Sequence, residues 1–400
     1  MGVVSLVRSV WVLSYVALSV SVVALTGAAI KGVSTKNRTA NLVLTVFGNQ
    51  MSELPLMVVL LEACFYVWLT ITGTSHVSGV VRFFNYVNVV SAFWLLYLLK
   101  QSFEAKEFAD GLLNQLSKES KKRIELPEWT SPNSVEGGDN RPVFVYIHGG
   151  GWTSGSKSMT GPILAELISR KWVVVSIDYR LTTKAGYPTQ LTDCKRALRW
   201  IKDQINIYGG DPNNIVVGGD SAGGQLAALV AMTPNLPEYQ PGFEDVDTTV
   251  QGCVPQSASM DLTDMNNRVQ HDARERFIKE ICHREGSPES PENMAFLKEH
   301  SPMFKVKDAK VPFLLVQGDL DVLAPVQTAR DFVKEFQSKS EAPITYLEIP
   351  GAHHAFHVFS SPRTWYTVLA IAEWLEFHFD KNQTGGERKV QVNELVEWGW

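Results

Sequence analysis

Ile215-Val216-Val217-Gly218-Gly219-Asp220-Ser221-Ala222-Gly223-Gly224-Gln225 is the stretch from which the rest of this chain can be read. Its first three residues are β-branched and apolar, the composition of a short buried strand. From Gln225 to Met232 the residues are small or apolar and read as a helix. Between them lies Gly219-Asp220-Ser221-Ala222-Gly223, a G-x-S-x-G. A sharp strand-to-helix turn exposes the serine Oγ, and glycine at the flanks lets neighbouring backbones approach. The helix that follows presents free N–H groups and partial positive charge to an oxygen that is becoming anionic. Ser221 is therefore the candidate nucleophile, and the Ala222 N–H a candidate oxyanion donor. A purely structural glycine turn is the bland alternative.

Reading outward, Val143 to Ile147 is a β-rich run that ends at His148-Gly149-Gly150-Gly151-Trp152. Three consecutive glycines at the end of a strand leave N–H groups unobstructed, so Gly149, Gly150 and Gly151 join Ala222 as the candidate oxyanion hole. His148 reads as a hydrogen-bond donor ordering that loop. Further strands are expected at Trp172 to Ile177, Pro312 to Gln317 and Ile344 to Ile349. Helices are expected between Tyr187 and Tyr208, from about Val326 to Gln337, and from Trp365 to Phe377. Continuous apolar strands alternating with helices imply an α/β fold, a mostly parallel, doubly wound sheet covered on both faces. In such sheets the chemistry gathers at the carboxyl ends of the strands.

His148-Gly149-Gly150-Gly151-Trp152 followed by Gly219-Asp220-Ser221-Ala222-Gly223-Gly224, with Asp178-Tyr179-Arg180-Leu181 and Gly209-Gly210-Asp211-Pro212 between them, resembles the hormone-sensitive-lipase group of α/β-hydrolases. Arylacetamide-deacetylase-like and carboxylesterase-like proteins belong to that group. The resemblance covers roughly residues 140 to 380. Thr182-Thr183-Lys184 departs from the Ala-Pro-Glu usual at that place, which alters a loop beside the site and leaves the chemistry untouched. The resemblance implies an α/β-hydrolase fold and a serine carboxylic-ester hydrolase that works through an acyl-enzyme without a cofactor.

A serine hydroxyl needs a base, and the base an orienting acid, in the chain order Ser, Asp or Glu, His. After the expected strand Pro312–Gln317 comes Gly318-Asp319-Leu320-Asp321, where the family pattern G-x-x-D-x-L selects Asp321 over Asp319. After Ile344–Ile349 comes Gly351-Ala352-His353-His354-Ala355-Phe356, where G-x-x-H-x-F selects His354 over His353. His353 and His357 are expected at the surface or behind the site. A catalytically silent ligand-binding protein on the same fold, or an acyl transferase using the same three residues, are the alternatives.

A net charge of −5 over 400 residues offers no basic field, so nucleic acid is not an expected partner. Cys64, Cys194, Cys253 and Cys282 form no CxxC or Cys/His cluster, and no metal site is expected.

The composition changes near residue 100. Val10 to Ile30 carries no charge and is long enough to cross a hydrocarbon core of about 30 Å. A cleaved signal peptide is its rival. Leu54 to Gly73 is a second apolar run, interrupted by Glu62, and Phe83 to Leu99 a third. The expectation is an all-helical membrane-spanning region over 1–100, with one to three spans. A polar connector over 101–140, a catalytic domain over 141–380 and a tail over 381–400 would follow. The connector reads as a solvated linker helix or one lying on a membrane. The bilayer and a small-molecule or lipid ester are the expected partners; oligomeric state is open. With three crossings, the Lys and Arg count puts the catalytic domain in the cytoplasm. Asn37-Arg38-Thr39 and Asn382-Gln383-Thr384 are sequons that argue for the opposite side.

Overall fold

The computed structural model describes residues 79–120, 140–264 and 273–379, with isolated positions between 14 and 67 and at 266 and 268. A long helix, α1 (Gly79–Ser120), precedes an alternation of strands and helices. The alternation runs β1 (Arg141–Ile147), α2 (Pro162–Ser169), β2 (Val173–Ile177), α3 (Thr189–Gln204), β3 (Gly210–Asp220), α4 (Ala222–Met232) and β4 (Gly252–Gln256). It continues with α5 (Pro291–Glu299), β5 (Phe313–Gly318), α6 (Val326–Lys339), β6 (Ile344–Ile349) and α7 (Pro362–Phe379).

The described strands form one six-stranded sheet in the order β2-β1-β3-β4-β5-β6, and every pairing is parallel. The chain first steps outward from β1 to β2, then returns to place β3 on the other side of β1. That reversal opens a crevice at the carboxyl ends of β1 and β3, where ligands of such sheets gather. The register aligns Ile147 with Gly219, so the glycine loop after β1 and the serine turn after β3 leave the sheet side by side.

Alternation along the strands divides the apolar residues between two cores. Val143, Val145, Ile215, Val217, Phe313 and Leu315 point to the face covered by α3, α4 and α6. Phe144, Tyr146, Val216, Leu314 and Val316 point to the face covered by α2, α7 and the second half of α1. β4 was not expected from the sequence. Gly252-Cys253-Val254-Pro255-Gln256 contains a proline, which cannot donate to a ladder and argues against an interior strand. All five residues are nonetheless buried, in a central strand.

α1 is 42 residues long, about 63 Å at 1.5 Å per residue. Asn88, Ser91, Leu95, Leu98, Ser102, Ala105, Ala109, Leu112 and Leu116 are buried at alternating spacings of three and four, the seam of a helix packed on one side. The domain boundary expected near residue 100 falls inside this helix. Part of the expected polar connector, Ala105 to Leu116, belongs to the core between α7 and the sheet. No helix among the described residues is long and apolar enough to cross a membrane. The third apolar run, expected as a span, lies within α1. Only about 27 Å separate Arg82 from Lys100 along it, less than the ~30 Å hydrocarbon core. The runs Val10–Ile30 and Leu54–Gly73 lie almost entirely outside the described residues, as do the tail over 381–400 and both sequons.

Candidate active site

Ser221 sits at the N-cap of α4 with φ 53° and ψ −118°, a conformation that costs a non-glycine residue about 1–3 kcal/mol. The surrounding backbone holds it there. Its N–H donates to the Gln256 carbonyl at the end of β4 (2.9 Å), and its own carbonyl accepts from Gln225 N–H (3.1 Å). Gly223 explains the tightness of the turn, since a Cβ there would stand 2.0 Å from the Ile147 carbonyl oxygen. Only a bare backbone fits between the end of β1 and the start of α4.

The Ser221 hydroxyl donates to His354 Nε2 at 2.9 Å. On the other side of the ring, His354 Nδ1 lies 2.8 Å from Asp321 Oδ2 and 3.0 Å from Oδ1. Asp321 is itself held on four sides. Oδ1 accepts the Leu323 and Ala324 N–H groups at 2.9 and 2.8 Å, and Oδ2 accepts Gln317 Nε2 at 2.9 Å beside the imidazole. Burial alone would lower the pKa of His354. The charge and hydrogen bond of Asp321, with the charge of Asp220 behind them, carry it above the ordinary 6.5. Serine, imidazole and carboxylate therefore form one continuous hydrogen-bonded line across the carboxyl ends of β3, β5 and β6. Such a line can move the serine proton onto the ring and stabilise the cation that results.

The glycine loop divides into two parts. Gly149 N–H donates to Asp220 Oδ1 at 3.0 Å and so faces away from any substrate, in contrast to its expected place in the oxyanion hole. Gly150 and Gly151 have positive φ values of 114° and 59°, and their N–H groups, like that of Ala222, donate to no other described residue. These three N–H groups are the uncommitted donors next to Ser221. His148 Nδ1 bonds the Gly149 carbonyl at 2.8 Å, its ring stacks on Tyr179 at 4.3 Å, and Tyr179 Oη donates to the His148 carbonyl at 2.9 Å. The family-like Asp178-Tyr179-Arg180-Leu181 segment thus braces this loop. The departure at Thr182 lies against it, with Thr182 N–H donating to the Trp152 carbonyl.

Asp319 takes no part in this line. Burial pushes its carboxyl up to about 6, and it lies near Gly351 and Arg363. His353 and His357, expected at the surface or behind the site, are both buried. Gln317, Tyr146 and the clustering of Asp220 with His357 were not anticipated. Gln317 reaches Asp321 from four residues earlier in the chain, whereas the Tyr146 and His357 contacts with Asp220 join segments distant in sequence, for which local spacing gives no signal. No group of three or more His, Cys, Asp or Glu side chains among the described residues could hold a metal ion.

A parallel six-stranded sheet, a serine at a strained strand-to-helix turn and the Ser–His–Asp line define an α/β-hydrolase. The chain belongs to the BD-FAE family, which matches residues 132–336. The esterase LipC of Mycobacterium tuberculosis is 35% identical over 260 residues, 64% of this chain and 61% of LipC. The arylacetamide deacetylase of Oryctolagus cuniculus is 46% identical over 99 residues, 23% of this chain and 24% of the deacetylase. Among solved structures, the thermophilic esterase Est2 of Thermogutta terrifontis superposes with a TM-score of 0.51 at 25% identity, covering 61% of this chain and 84% of Est2. The chain spans less than two thirds of the length of the curated relatives it matches.

Proposed function

We propose that this chain is a serine carboxylic-ester hydrolase working through an acyl-enzyme, with Ser221 as nucleophile, His354 as base and Asp321 as the acid that orients it. The observation that carries the reading is the unbroken line from Ser221 Oγ through His354 to Asp321, at 2.9 and 2.8 Å. His354 takes the serine proton as Oγ attacks the ester carbonyl, and Asp321 holds the ring with Nδ1 protonated. The N–H groups of Gly150, Gly151 and Ala222 receive the oxyanion. His354 then protonates the departing alcohol, and water repeats the sequence on the acyl-enzyme to release the acid.

The substrates proposed are lipophilic esters close to a membrane. Support comes from the front of α1, where Phe83, Val89, Val90, Phe93, Trp94 and Leu96 are exposed with no charged residue between Arg82 and Lys100. An apolar exposed face of that size suits a lipid environment. The test of the chemistry is a fluorophosphonate probe on the full chain. Wild type is expected to be labelled and Ser221→Ala to remain unlabelled; equal labelling of the two would overturn the assignment. A panel of esters of increasing acyl length then tests the substrate class, with turnover restricted to water-soluble acetates counting against it.

A further inference from the structure

Asp220 stands in the variable position of the serine motif, and its carboxylate reaches three separate segments around the site. Oδ1 accepts the Tyr146 hydroxyl at 2.6 Å and the Gly149 N–H at 3.0 Å. Oδ2 lies 3.9 Å from His357 Nε2, on the turn that follows the base. The carboxylate also occupies the place where a side chain at Gly149 would begin, since a Cβ there would be 2.3 Å from Oδ2. The same Cβ would stand 2.8 Å from the Asp220 carbonyl oxygen, so residue 220 keeps position 149 a glycine through its backbone as well as its carboxylate. The Tyr146 phenol is a firm donor: burial, then the charge and hydrogen bond of Asp220, push its pKa well above 10.0.

We propose that Asp220 is a positioning residue that clamps the glycine loop in its oxyanion-binding conformation through the Gly149 N–H. The inference rests on the reading of Ser221 as nucleophile, because a clamped loop matters only if an oxyanion forms beside it. The physical case is one of economy of freedom. Three consecutive glycines form the most flexible loop a chain can make, and free N–H groups help catalysis only when already aimed. His148 and Tyr179 hold the loop from one side. Asp220 holds it from the other and ties it to the residue next to the nucleophile. Loop and Oγ are then fixed relative to each other through a single side chain.

The clamp uses one oxygen as an acceptor, a role that an asparagine Oδ1 can fill and an alanine cannot. The negative charge has a second effect, separable by pH. The titratable groups facing Asp220 are Tyr146, Tyr179, His354 and His357. The tyrosines stay neutral well into the alkaline range. His357 is held low by burial, with the His354 charge adding to that effect and Asp220 opposing it. Of the four, His354 is therefore the group whose titration near neutral pH the charge of Asp220 shifts, and it shifts it upward.

The rate of fluorophosphonate labelling of the full chain reads the loop without a known substrate, because the phosphonyl oxygen occupies the oxyanion site. Ser221→Ala serves as the control for the underlying reading: if it is labelled like wild type, the nucleophile is wrong, whatever Asp220 does. With that control unlabelled, Asp220→Ala is expected to be labelled at least tenfold more slowly, toward the ~100-fold typical of one lost oxyanion donor. Asp220→Asn is expected to keep at least a third of the wild-type rate at pH 8. Its acid limb should move to lower pH, because His354 loses a charge that raises it. A loss below tenfold in Asp220→Ala would overturn the proposal, as would an Asp220→Asn as slow as the alanine variant. Should Asp220→Ala fail to fold, judged by its thermal melt, Asp220→Leu, which fills the same space without an acceptor for the Gly149 N–H, takes its place with the same tenfold criterion.

Discussion

Two carboxylates two residues apart meet different fates. Asp321 turns back toward β5, where Gln317 and two backbone N–H groups hold its carboxyl facing the imidazole. Asp319 is directed at Gly351 and Arg363, and burial pushes it up to about 6. Asp321→Asn is therefore expected to lower kcat by about 10⁴, the scale seen when the orienting acid of such a triad is neutralised. Asp319→Asn should stay within about tenfold of wild type on the scale where triad members cost orders of magnitude. Steady-state hydrolysis of a chromogenic ester measures both. The pH profile follows from the sign of the shift at His354. The base works neutral and its pKa lies above 6.5, so kcat/KM should fall as pH drops through a midpoint above 6.5. A midpoint below 6.5 would mean that burial outweighs the Asp321 charge. At this scale the sequence carried the residue types and their order, because the turn glycines and short motifs are local. It did not carry the commitment of the Gly149 N–H to Asp220, which joins two strands 71 residues apart in the chain.

Helix α1 shows what local composition misses at the scale of elements. Its charged second half reads as a connector, yet Ala105, Ala109, Leu112 and Leu116 sit in the core on the α7 side of the sheet. Small residues at the first two positions let the helix lie close to α7, and leucines fill the space beyond. Leu116→Ala is expected to cost about 2–5 kcal/mol of folding stability, measured by urea denaturation of the full chain. A change under about 0.5 kcal/mol would show that the helix does not contribute to the core. Earlier in the same helix, Ser102 Oγ accepts the Arg363 N–H at 3.2 Å, and a Cβ at Gly351 would meet the Arg363 and Gln101 side chains at 2.9 and 3.1 Å. The middle of α1 thus lies beside the turn that precedes His354. β4 was illegible for the opposite reason. Its proline and glycine weaken any strand propensity, and its place between β3 and β5 comes from burial on both faces.

For the whole molecule, we propose membrane attachment, on the exposed apolar front of α1 and the two apolar runs before it. Alkaline carbonate extraction of the full chain should leave it in the membrane pellet. Recovery in the soluble fraction of a chain beginning near residue 30 would show that the first run is a cleaved signal. Protease protection of the same membranes would test sidedness, because the Lys and Arg count points to the cytoplasm only when all three runs cross.

Sequence by itself determined the alternation of buried strands and amphipathic helices, the parallel α/β class, and the glycine-flanked serine. Each of these depends on interactions within about ten residues, so hydrophobic period and turn chemistry express them directly. Tertiary structure alone decided the strand order and the central place of β4. It also decided that α1 runs unbroken past residue 100, and that Asp220 faces Gly149. Those outcomes arise where separate segments compete for the same buried space and the same hydrogen-bond donors. The winner depends on the packing of the whole sheet, which no window of sequence contains.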